Sequence, residues 1–210
     1  MKKKITIIDK SFTPIVVLAD TSSALYEDRC GRLGERNLLS DTEIVCKAMD
    51  GTKEIASVKA HVLQVPTKKL PLEALHATEQ NPIPAKQLAI NYLCQKNAEV
   101  ETLCEREKTD SVAMVLPITT HLYIERLVVD TPHRKLGVAT AMLDFLISMA
   151  APETVSMFAG HEQAEVMAML KKLKFIEAPI VATDVPWKKK NFFYKRLKRL
   201  ARSVIGGILF

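Results

Sequence analysis

The residues whose types and spacing could do chemistry are concentrated between positions 121 and 139. The apolar run Leu122–Val129 predicts a strand that carries one carboxylate, Glu125, and a short polar loop then leads to Gly137. The amphipathic run Val138–Met149 predicts a helix. The first turn of a helix leaves roughly four backbone N–H groups unpaired and carries partial positive charge. Strand, glycine loop and helix in this order therefore predict an anion site that suits a phosphate-bearing ligand.

The glycine pattern of this loop narrows the ligand. Arg134 and Lys135 add formal positive charge beside the predicted helix. Neither the Walker pattern (GxxxxGK before Ser or Thr) nor the dinucleotide pattern GxGxxG occurs in the chain. Residues 134–139 read R-K-L-G-V-A. This sequence resembles the acetyl-CoA pyrophosphate loop of the GCN5-related N-acetyltransferase (GNAT) family, whose pattern is Q/R-x-x-G-x-G/A.

The order of the surrounding elements is similar to that of the same family. A strand-like run at Val155–Phe158, a helix-like segment at Glu162–Leu173 and a further strand follow the loop, and Asn191–Leu197 resembles the closing strand. Ahead of the loop, the Asp50–Gly51 pair predicts a hairpin. The resemblance implies an α/β fold with a mixed, mostly antiparallel central sheet flanked by helices.

The chain is expected to hold one such domain over residues 1–197, with an inserted helical segment at about 66–120 and a basic, apolar-ended tail at 198–210. Within the insertion, Ala85–Lys108 predicts an amphipathic helix with a break near Asn97, and Ser111–Ile118 predicts an extra strand. This helix either shields the sheet or forms a wall of the acceptor site.

The N-terminal region is predicted to be strand-rich. Lys4–Ile8 and Phe12–Leu18 are rich in β-forming residues and indicate one interrupted strand. Ser23–Arg29 indicates a short helix.

The composition is that of a globular protein. The chain has 210 residues, 48% hydrophobic and 26% charged. No apolar run reaches the length of a secretion signal or of a membrane span. The cysteines are widely spaced without a CxxC motif, which favours reduced thiols in a cytoplasmic protein and argues against a metal site; they are Cys30, Cys46, Cys94 and Cys104.

The formal charge of +6 is concentrated near the C-terminus. Eight basic residues and no acidic one lie between Trp187 and Arg202. Three interpretations stay open: a closing strand with solvated lysines, peripheral contact with an anionic membrane, and a nucleic-acid surface, which is the least favoured. Monomer and homodimer also stay open.

The resemblance implies the activity and the cofactor contacts. The protein is expected to be an N-acetyltransferase that moves an acetyl group from acetyl-CoA, its co-substrate, to a primary amine of a small molecule or protein. The pantetheine arm is expected to pair with the backbone of Leu127, Val128 and Val129. The pyrophosphate is expected to contact the amides of Arg134, Lys135, Leu136, Gly137, Val138 and Ala139.

Glu125 is the candidate general base, because amine deprotonation is usually done by a carboxylate and this one lies inside an apolar strand. The alternative is a structural role, in which Glu125 pairs with Arg126 or a neighbouring strand. His121 and Tyr123 are weaker candidates on the same strand.

The position at which the family commonly carries a tyrosine acid departs from its pattern. Leu170 stands there, Gln163 replaces an asparagine, and Lys174 replaces a glycine. Leucine cannot donate a proton. Tyr194 and His161 are therefore the candidate acids, and a non-catalytic acyl-CoA-binding or protein-interaction module on the same fold is the alternative function.

Overall fold

Eight strands and three α-helices lie in the part of the chain that the computed structural model describes, which is residues 2–8, 14–27, 38–75, 83–107, 118–160, 163–183 and 189–197. In chain order they are β1 (Lys2–Ile8), β2 (Pro14–Glu27), β3 (Leu38–Asp50), β4 (Lys53–Pro66), α1 (Ala85–Glu107), β5 (Ile118–Val129), α2 (Val138–Ala150), β6 (Thr154–Gly160), α3 (Ala164–Lys172), β7 (Ile176–Thr183) and β8 (Lys189–Arg196).

The strands form one sheet in the order β1-β2-β3-β4-β5-β6-β8-β7. Neighbouring strands are antiparallel, except that β5 and β6 are parallel. The predicted mixed, mostly antiparallel α/β fold is confirmed. The predicted closing strand is β8, and it lies between β6 and β7.

The N-terminal strands correct two expectations. β1 and β2 are separate strands that pair antiparallel from Lys2–Asp20 to Ile8–Pro14, so the interrupted single strand was wrong. The helix predicted at Ser23–Arg29 was also wrong over its first five residues, because Ser23–Glu27 continues β2 and pairs with Leu38–Thr42 of β3. Strand pairing decides the conformation here over local preference. Arg29 lies outside the described residues.

The hairpin predicted around Asp50–Gly51 is confirmed. β3 and β4 pair on both sides of this turn, and Gly51 takes a φ of 58°. Glycine suits this left-handed conformation because it has no Cβ to clash.

The sheet is covered on both faces. α2 and α3 pack on one face, where their buried residues Met142, Leu146 and Leu170 join a core with β2 to β6. α1 packs on the other face, where Leu88 and Leu93 join a second buried cluster with β4, β5, β6, β7 and β8.

α1 confirms the helix predicted in the insertion, but the break near Asn97 was wrong. The helix runs unbroken through this residue, because the Asn97 amide is buried and donates a hydrogen bond to Thr119 Oγ1 at 3.0 Å. A polar residue that would weaken an isolated helix docks this one on β5. The extra strand predicted from Ser111 lies outside the described residues up to residue 117, and Ile118 begins β5.

A backbone hydrogen bond caps the C-terminal end of α3. Lys174 takes a φ of 63°, and the Phe175 N–H donates to the Leu170 carbonyl at 2.9 Å. A left-handed residue at this position commonly ends a helix and is usually glycine. Lys174 thus occupies the conformation for which the related pattern carries glycine. None of the helices in the described ranges has the length and apolar character needed to cross a bilayer.

Candidate active site

The sheet opens between its two parallel strands. β5 pairs with β6 only from His121–Thr154 to Ile124–Met157. Beyond Ile124, β5 stays paired with β4, whereas β6 stays paired with β8. The strands therefore part along Leu127–Val129.

Glu125 lies where the opening begins. In the β4–β5 register Lys59 pairs with Arg126 and Ala60 pairs with Ile124, so Glu125 is an extra, bulged residue. A β-bulge bends its strand and increases the local twist. The bulge thus accounts for β5 turning away from β6 and places the carboxylate at the opening.

Beyond the bulge, the backbone N–H and C=O groups of successive β5 residues point alternately toward β4 and toward the opening. The Asp130 N–H donates to the Ile55 carbonyl at 2.8 Å. Because hydrogen bonds in an antiparallel pair recur at every second residue, Val128 directs its backbone groups toward β4, whereas Leu127 and Val129 direct theirs toward the opening. This alternation favours Leu127 and Val129 over Val128 for the ligand contacts predicted along Leu127–Val129, which stay a prediction. The Val129 carbonyl also accepts a hydrogen bond from Arg134 Nε at 3.0 Å.

The loop after β5 ends at the start of α2. Gly137 is the N-cap residue with a φ of 91°, and no side chain caps the helix there. Its carbonyl accepts from the Ala141 N–H at 3.0 Å. Within the described part of the chain, the N–H groups of Val138 and Ala139 in the first turn have no protein partner. These amides lie where the sequence predicts the anion site, and their binding of an anion stays a prediction.

Arg134 differs from the other residues predicted for the loop. Its N–H already donates to the Thr131 carbonyl at 3.2 Å, so this amide is not directed at a ligand. Its guanidinium Nη1 lies 3.7 Å from Glu165 Oε2 of α3, and Lys135 Nζ lies 3.5 Å from Glu165 Oε1. Leu136 is half-buried and packs against the core beneath α2. The two cations therefore share an acidic neighbour that the sequence pattern did not indicate.

Glu125 points into a cluster of charged side chains on the α1 face of the sheet. His61 of β4 is central, with its side chain only 8% exposed. Its Nε2 lies 2.8 Å from Glu125 Oε2, and its Nδ1 lies 2.9 Å from Asp41 Oδ1 of β3. Lys59 Nζ lies 3.1 Å from Glu125 Oε2, and Lys86 Nζ of α1 lies 2.7 Å from Asp41 Oδ2. Glu125 is thus paired with the neighbouring strand β4, as the structural interpretation expected, and remains at the opening with 43% of its side chain exposed.

The contacts in this cluster shift its acid–base properties. The hydrogen bond to Asp41 raises the pKa of His61; burial opposes this shift, and the contact with Glu125 adds to it. Burial acts to raise the pKa of Glu125, but the hydrogen bonds from His61 and Lys59 outweigh it and hold that pKa below its usual value. Burial also acts to raise the pKa of Asp41, but the hydrogen bonds from His61 and Lys86 outweigh it and lower that pKa. The cluster favours carboxylates around a charged imidazole.

The weaker candidates on β5 lie in packed surroundings. His121 is fully buried, and its ring nitrogens lie 2.7 Å from Thr154 Oγ1 and 2.8 Å from Ser156 Oγ. Burial lowers its pKa to about 3, so it is neutral at physiological pH. Tyr123 is buried, with its ring centroid 6.3 Å from that of His61.

Tyr194 lies in the aromatic cluster beneath α1. Its ring centroid is 5.6 Å from that of Tyr92 and 6.1 Å from that of Phe192. It pairs with Ser156, which pairs with Tyr123, so two strand spacings of roughly 5 Å each separate it from β5. The geometry therefore does not place Tyr194 beside Glu125. His161, the other candidate acid, lies outside the described residues.

Leu170 and Gln163 have structural contacts. Leu170 is fully buried in the core beneath α3, and the Gln163 side-chain carbonyl accepts from the Gly160 N–H at 3.1 Å. Neither supplies a proton donor to the opening. Lys195, one of the basic residues near the C-terminus, also has a structural contact: its Nζ donates to the Leu173 carbonyl at 3.0 Å.

Sequence reasoning missed His61, Asp41 and Lys59. The only local signal was an ionisable residue at a buried position of a strand, since His61 stands among the apolar residues of β4. No cluster of metal-ligating side chains suited to an ion occurs in the described ranges. Cys46 and Cys94 are buried and are not joined in a disulfide, and burial raises the pKa of Cys46 to about 11.

Residues 84–175, from the start of α1 to the start of β7, match the model of the acetyltransferase (GNAT) family. No curated protein sequence matches the chain.

Similar solved structures include Arabidopsis thaliana NAA60 in complex with acetyl-CoA, at 13% identity over 74% of this chain and 76% of that chain, with a TM-score of 0.42. A putative streptothricin acetyltransferase from Bacillus anthracis in complex with acetyl coenzyme A is similar at 10% identity over 85% of this chain and 86% of that chain, with a TM-score of 0.41.

Proposed function

We propose that the protein transfers an acetyl group from acetyl-CoA to a primary amine of a small molecule or protein, a reaction that the match of residues 84–175 to the acetyltransferase (GNAT) family model supports. The observation that carries the proposal is the opening of the sheet at the Glu125 bulge. Glu125 lies on β5, and β5 leads through a short loop to the start of α2, which no side chain caps. One short stretch of chain thus offers a carboxylate, an unpaired strand edge and free amides in sequence.

The cofactor half of the proposal uses the backbone. The pyrophosphate would lie against the amides of Val138 and Ala139, where Gly137 leaves room for close approach. Arg134 and Lys135 would add charge at the rim. The pantetheine arm would then extend along Leu127 and Val129, as an extended peptide pairs with a strand edge. This direction brings the thioester toward Glu125.

The acceptor half uses Glu125 as the group that contacts the amine. An acceptor amine arrives largely as an ammonium ion and must lose a proton before it can attack the thioester carbonyl. Glu125 is ionised, since His61 and Lys59 lower its pKa, and it is exposed enough to be reached. As the amine nitrogen bonds to the carbonyl carbon, the C–S bond breaks. The second amine proton leaves with the thiolate, directly or through water.

A non-catalytic acyl-CoA-binding or protein-interaction module is the second candidate function. It is favoured by Leu170, which is buried in the core where the related pattern carries a tyrosine acid. The proposed enzyme is compatible with the buried Leu170 only if the thiolate can leave without a side chain that donates a proton to it. Activity and binding must therefore be measured separately.

The test combines thermal unfolding with a thiol-release assay. Acetyl-CoA at a hundred times its Kd should stabilise the protein by about 2.7 kcal/mol, and ATP serves as the control for unspecific anion binding. Thiol release is then followed with polyamines, amino acids, aminoglycoside-type antibiotics and N-terminal peptides. A shift with amine-dependent release supports the enzyme, a shift without release supports the module, and no shift contradicts both.

A further inference from the structure

A buried histidine connects Glu125 to a second carboxylate that does not face the opening. His61 lies between Glu125 Oε2 at 2.8 Å and Asp41 Oδ1 at 2.9 Å, one on each ring nitrogen. Ionised carboxylates only accept hydrogen bonds, so both contacts are satisfied only when both imidazole nitrogens carry a proton. The neutral imidazole can satisfy one of them.

We propose that His61, oriented by Asp41, takes up the proton that Glu125 accepts from the acceptor amine; this inference rests on the proposed acetyl transfer. The reacting state lies above the raised pKa of His61, where the ring is neutral, with Nδ1–H donated to Asp41 and the Nε2 lone pair toward Glu125. The ammonium gives one proton to Glu125, which passes it to Nε2. The imidazolium then lies between two carboxylates, and the proton returns to solvent through Glu125 after the amide has left.

The carboxylate alone is poorly matched to the task. A general base works best when its pKa lies near the working pH. With His61 neutral, Lys59 Nζ still lies 3.1 Å from Glu125 Oε2 and favours the ionised carboxylate, so a proton placed there is held weakly. The hydrogen bond to Asp41 raises the pKa of His61 above its ordinary value near neutrality. Glu125 and His61 together therefore bind the proton more tightly than Glu125 can.

The charged groups around His61 favour its protonation over protonation of Asp41. Lys86 Nζ of α1 lies 2.7 Å from the other oxygen of Asp41 and keeps this carboxylate ionised. Asp41 therefore orients the imidazole without taking its proton. Lys59 of β4 bridges Glu125 and Glu43 of β3 at 3.1 Å each. The charged groups around the ring thus come from β3, β4, β5 and α1.

The same contacts would also be expected if the cluster only held β3, β4 and β5 together. A structural role predicts lower stability without a change in the pH dependence of turnover. A relay predicts that kcat falls at low pH as His61 becomes protonated; this fall is called the acid limb below. The pH profile therefore separates the two roles.

The decisive variant is His61→Gln, which keeps a hydrogen-bonding side chain but cannot take up a proton. We expect kcat to fall at least about tenfold, since general base catalysis contributes roughly 10²–10⁴-fold and Glu125 remains. The acid limb should move to lower pH, while KM for acetyl-CoA stays unchanged. Asp41→Asn should move the limb in the same direction by lowering the pKa of His61.

His121→Gln is the matched control. His121 is also buried on the α1 face of the sheet, but its nitrogens meet the hydroxyls of Thr154 and Ser156 instead of carboxylates. Its loss should lower stability and leave the acid limb where it is.

The outcomes are distinguishable. An active wild-type protein whose His61→Gln and Asp41→Asn variants keep the wild-type kcat and acid limb overturns the relay alone. A wild-type protein without thiol release overturns the proposed transfer, and the relay with it. Should His61→Gln fail to fold by circular dichroism, Asp41→Asn decides the question, with NMR titration of the His61 ring protons showing whether its pKa has fallen.

Discussion

The two sides of the opening in the sheet are built from different parts of the polypeptide. On the cofactor side, one continuous stretch offers backbone amides at Gly137–Ala139 and two cations on the surface, with Lys135 83% exposed. On the acceptor side, side chains from β3, β4, β5 and α1 meet around the buried His61 at 2.7–3.1 Å.

This difference predicts how each side responds to substitution. A site made of backbone amides depends on the path of the chain and tolerates side-chain changes, except where a side chain would block the approach. A cluster of ion-paired side chains depends on each member, because removing one partner leaves the others buried and unpaired. The cofactor side should therefore fail at one glycine, whereas the acceptor side should respond to every charge.

The largest effect is expected at Gly137. Gly137→Glu should abolish the stabilisation by acetyl-CoA, because it places a side chain and a negative charge where the phosphates would approach and strains a φ of 91°. The measurement is the shift in melting temperature with and without acetyl-CoA.

Gly51→Glu is the matched control for this prediction. Gly51 also has a positive φ, 58°, and a Cβ built there meets nothing within 4 Å. Gly51→Glu introduces a side chain at positive φ and the same charge in the turn between β3 and β4. If both variants keep the acetyl-CoA shift, the anion site does not lie at the start of α2.

The next effect is expected at Glu125. Glu125→Gln should lower kcat by about 10²–10⁴-fold, as loss of a general base does, while acetyl-CoA still raises the melting temperature. Glu54→Gln is the control, because Glu54 is also an ion-paired carboxylate on the neighbouring strand, 2.7 Å from Lys47. Turnover that survives in Glu125→Gln would assign this residue to structure and leave the base unidentified.

The cofactor side could be predicted from the sequence because its parts are contiguous. The run from Leu122 to Met149 contains the strand, the glycine and the helix; α2 has nearly the predicted bounds, whereas β5 begins four residues earlier, at Ile118. Even so, the pattern could not show that the Arg134 N–H is used by Thr131, or that Glu165 of a later helix lies beside the loop cations. Those contacts depend on how the loop turns and where α3 packs.

The acceptor side could be predicted only at Glu125. His61 and Glu125 are 64 residues apart in the chain, and Asp41 and Lys86 are 45 apart. Strand register brings them together, and register depends on the bulge at Glu125, for which no local pattern was recognised. The helix wrongly predicted at Ser23 has the same cause, since its conformation is decided by pairing with β3.

A smaller effect on stability is expected from His61→Gln as the pH changes. The raised pKa of His61 means that its ion pairs stabilise the fold fully below its unfolded pKa of about 6.5 and are lost as the pH rises through the folded value. The lowered pKa values of Asp41 and Glu125 mean that their contribution is present above about pH 4 and is lost as the pH falls further.

The variant should therefore lose roughly 1–3 kcal/mol near pH 5–6, the cost of unsatisfied buried partners. This difference from wild type should shrink above neutral pH. Urea unfolding at pH 5.5 and pH 8.5 measures it. A difference that grows with pH would mean that folding lowers the pKa of His61 instead of raising it.

The smallest effect is expected at Glu165, the acidic neighbour of the cofactor loop. Its carboxylate lies 3.5 Å from Lys135 Nζ and 3.7 Å from Arg134 Nη1, so it offsets the charge that phosphates would meet. Glu165→Gln should tighten acetyl-CoA binding by about two- to fivefold, in keeping with exposed ion pairs worth about 0.2–1 kcal/mol. Because such pairs are screened, the gain should fade at about 1 M salt. Glu177→Gln removes an equal charge from another exposed pair, 3.7 Å from Lys171, without touching the loop. Equal tightening by both variants would mean that affinity follows net charge, and weaker binding by Glu165→Gln would mean that Glu165 holds the cations in place for the phosphates.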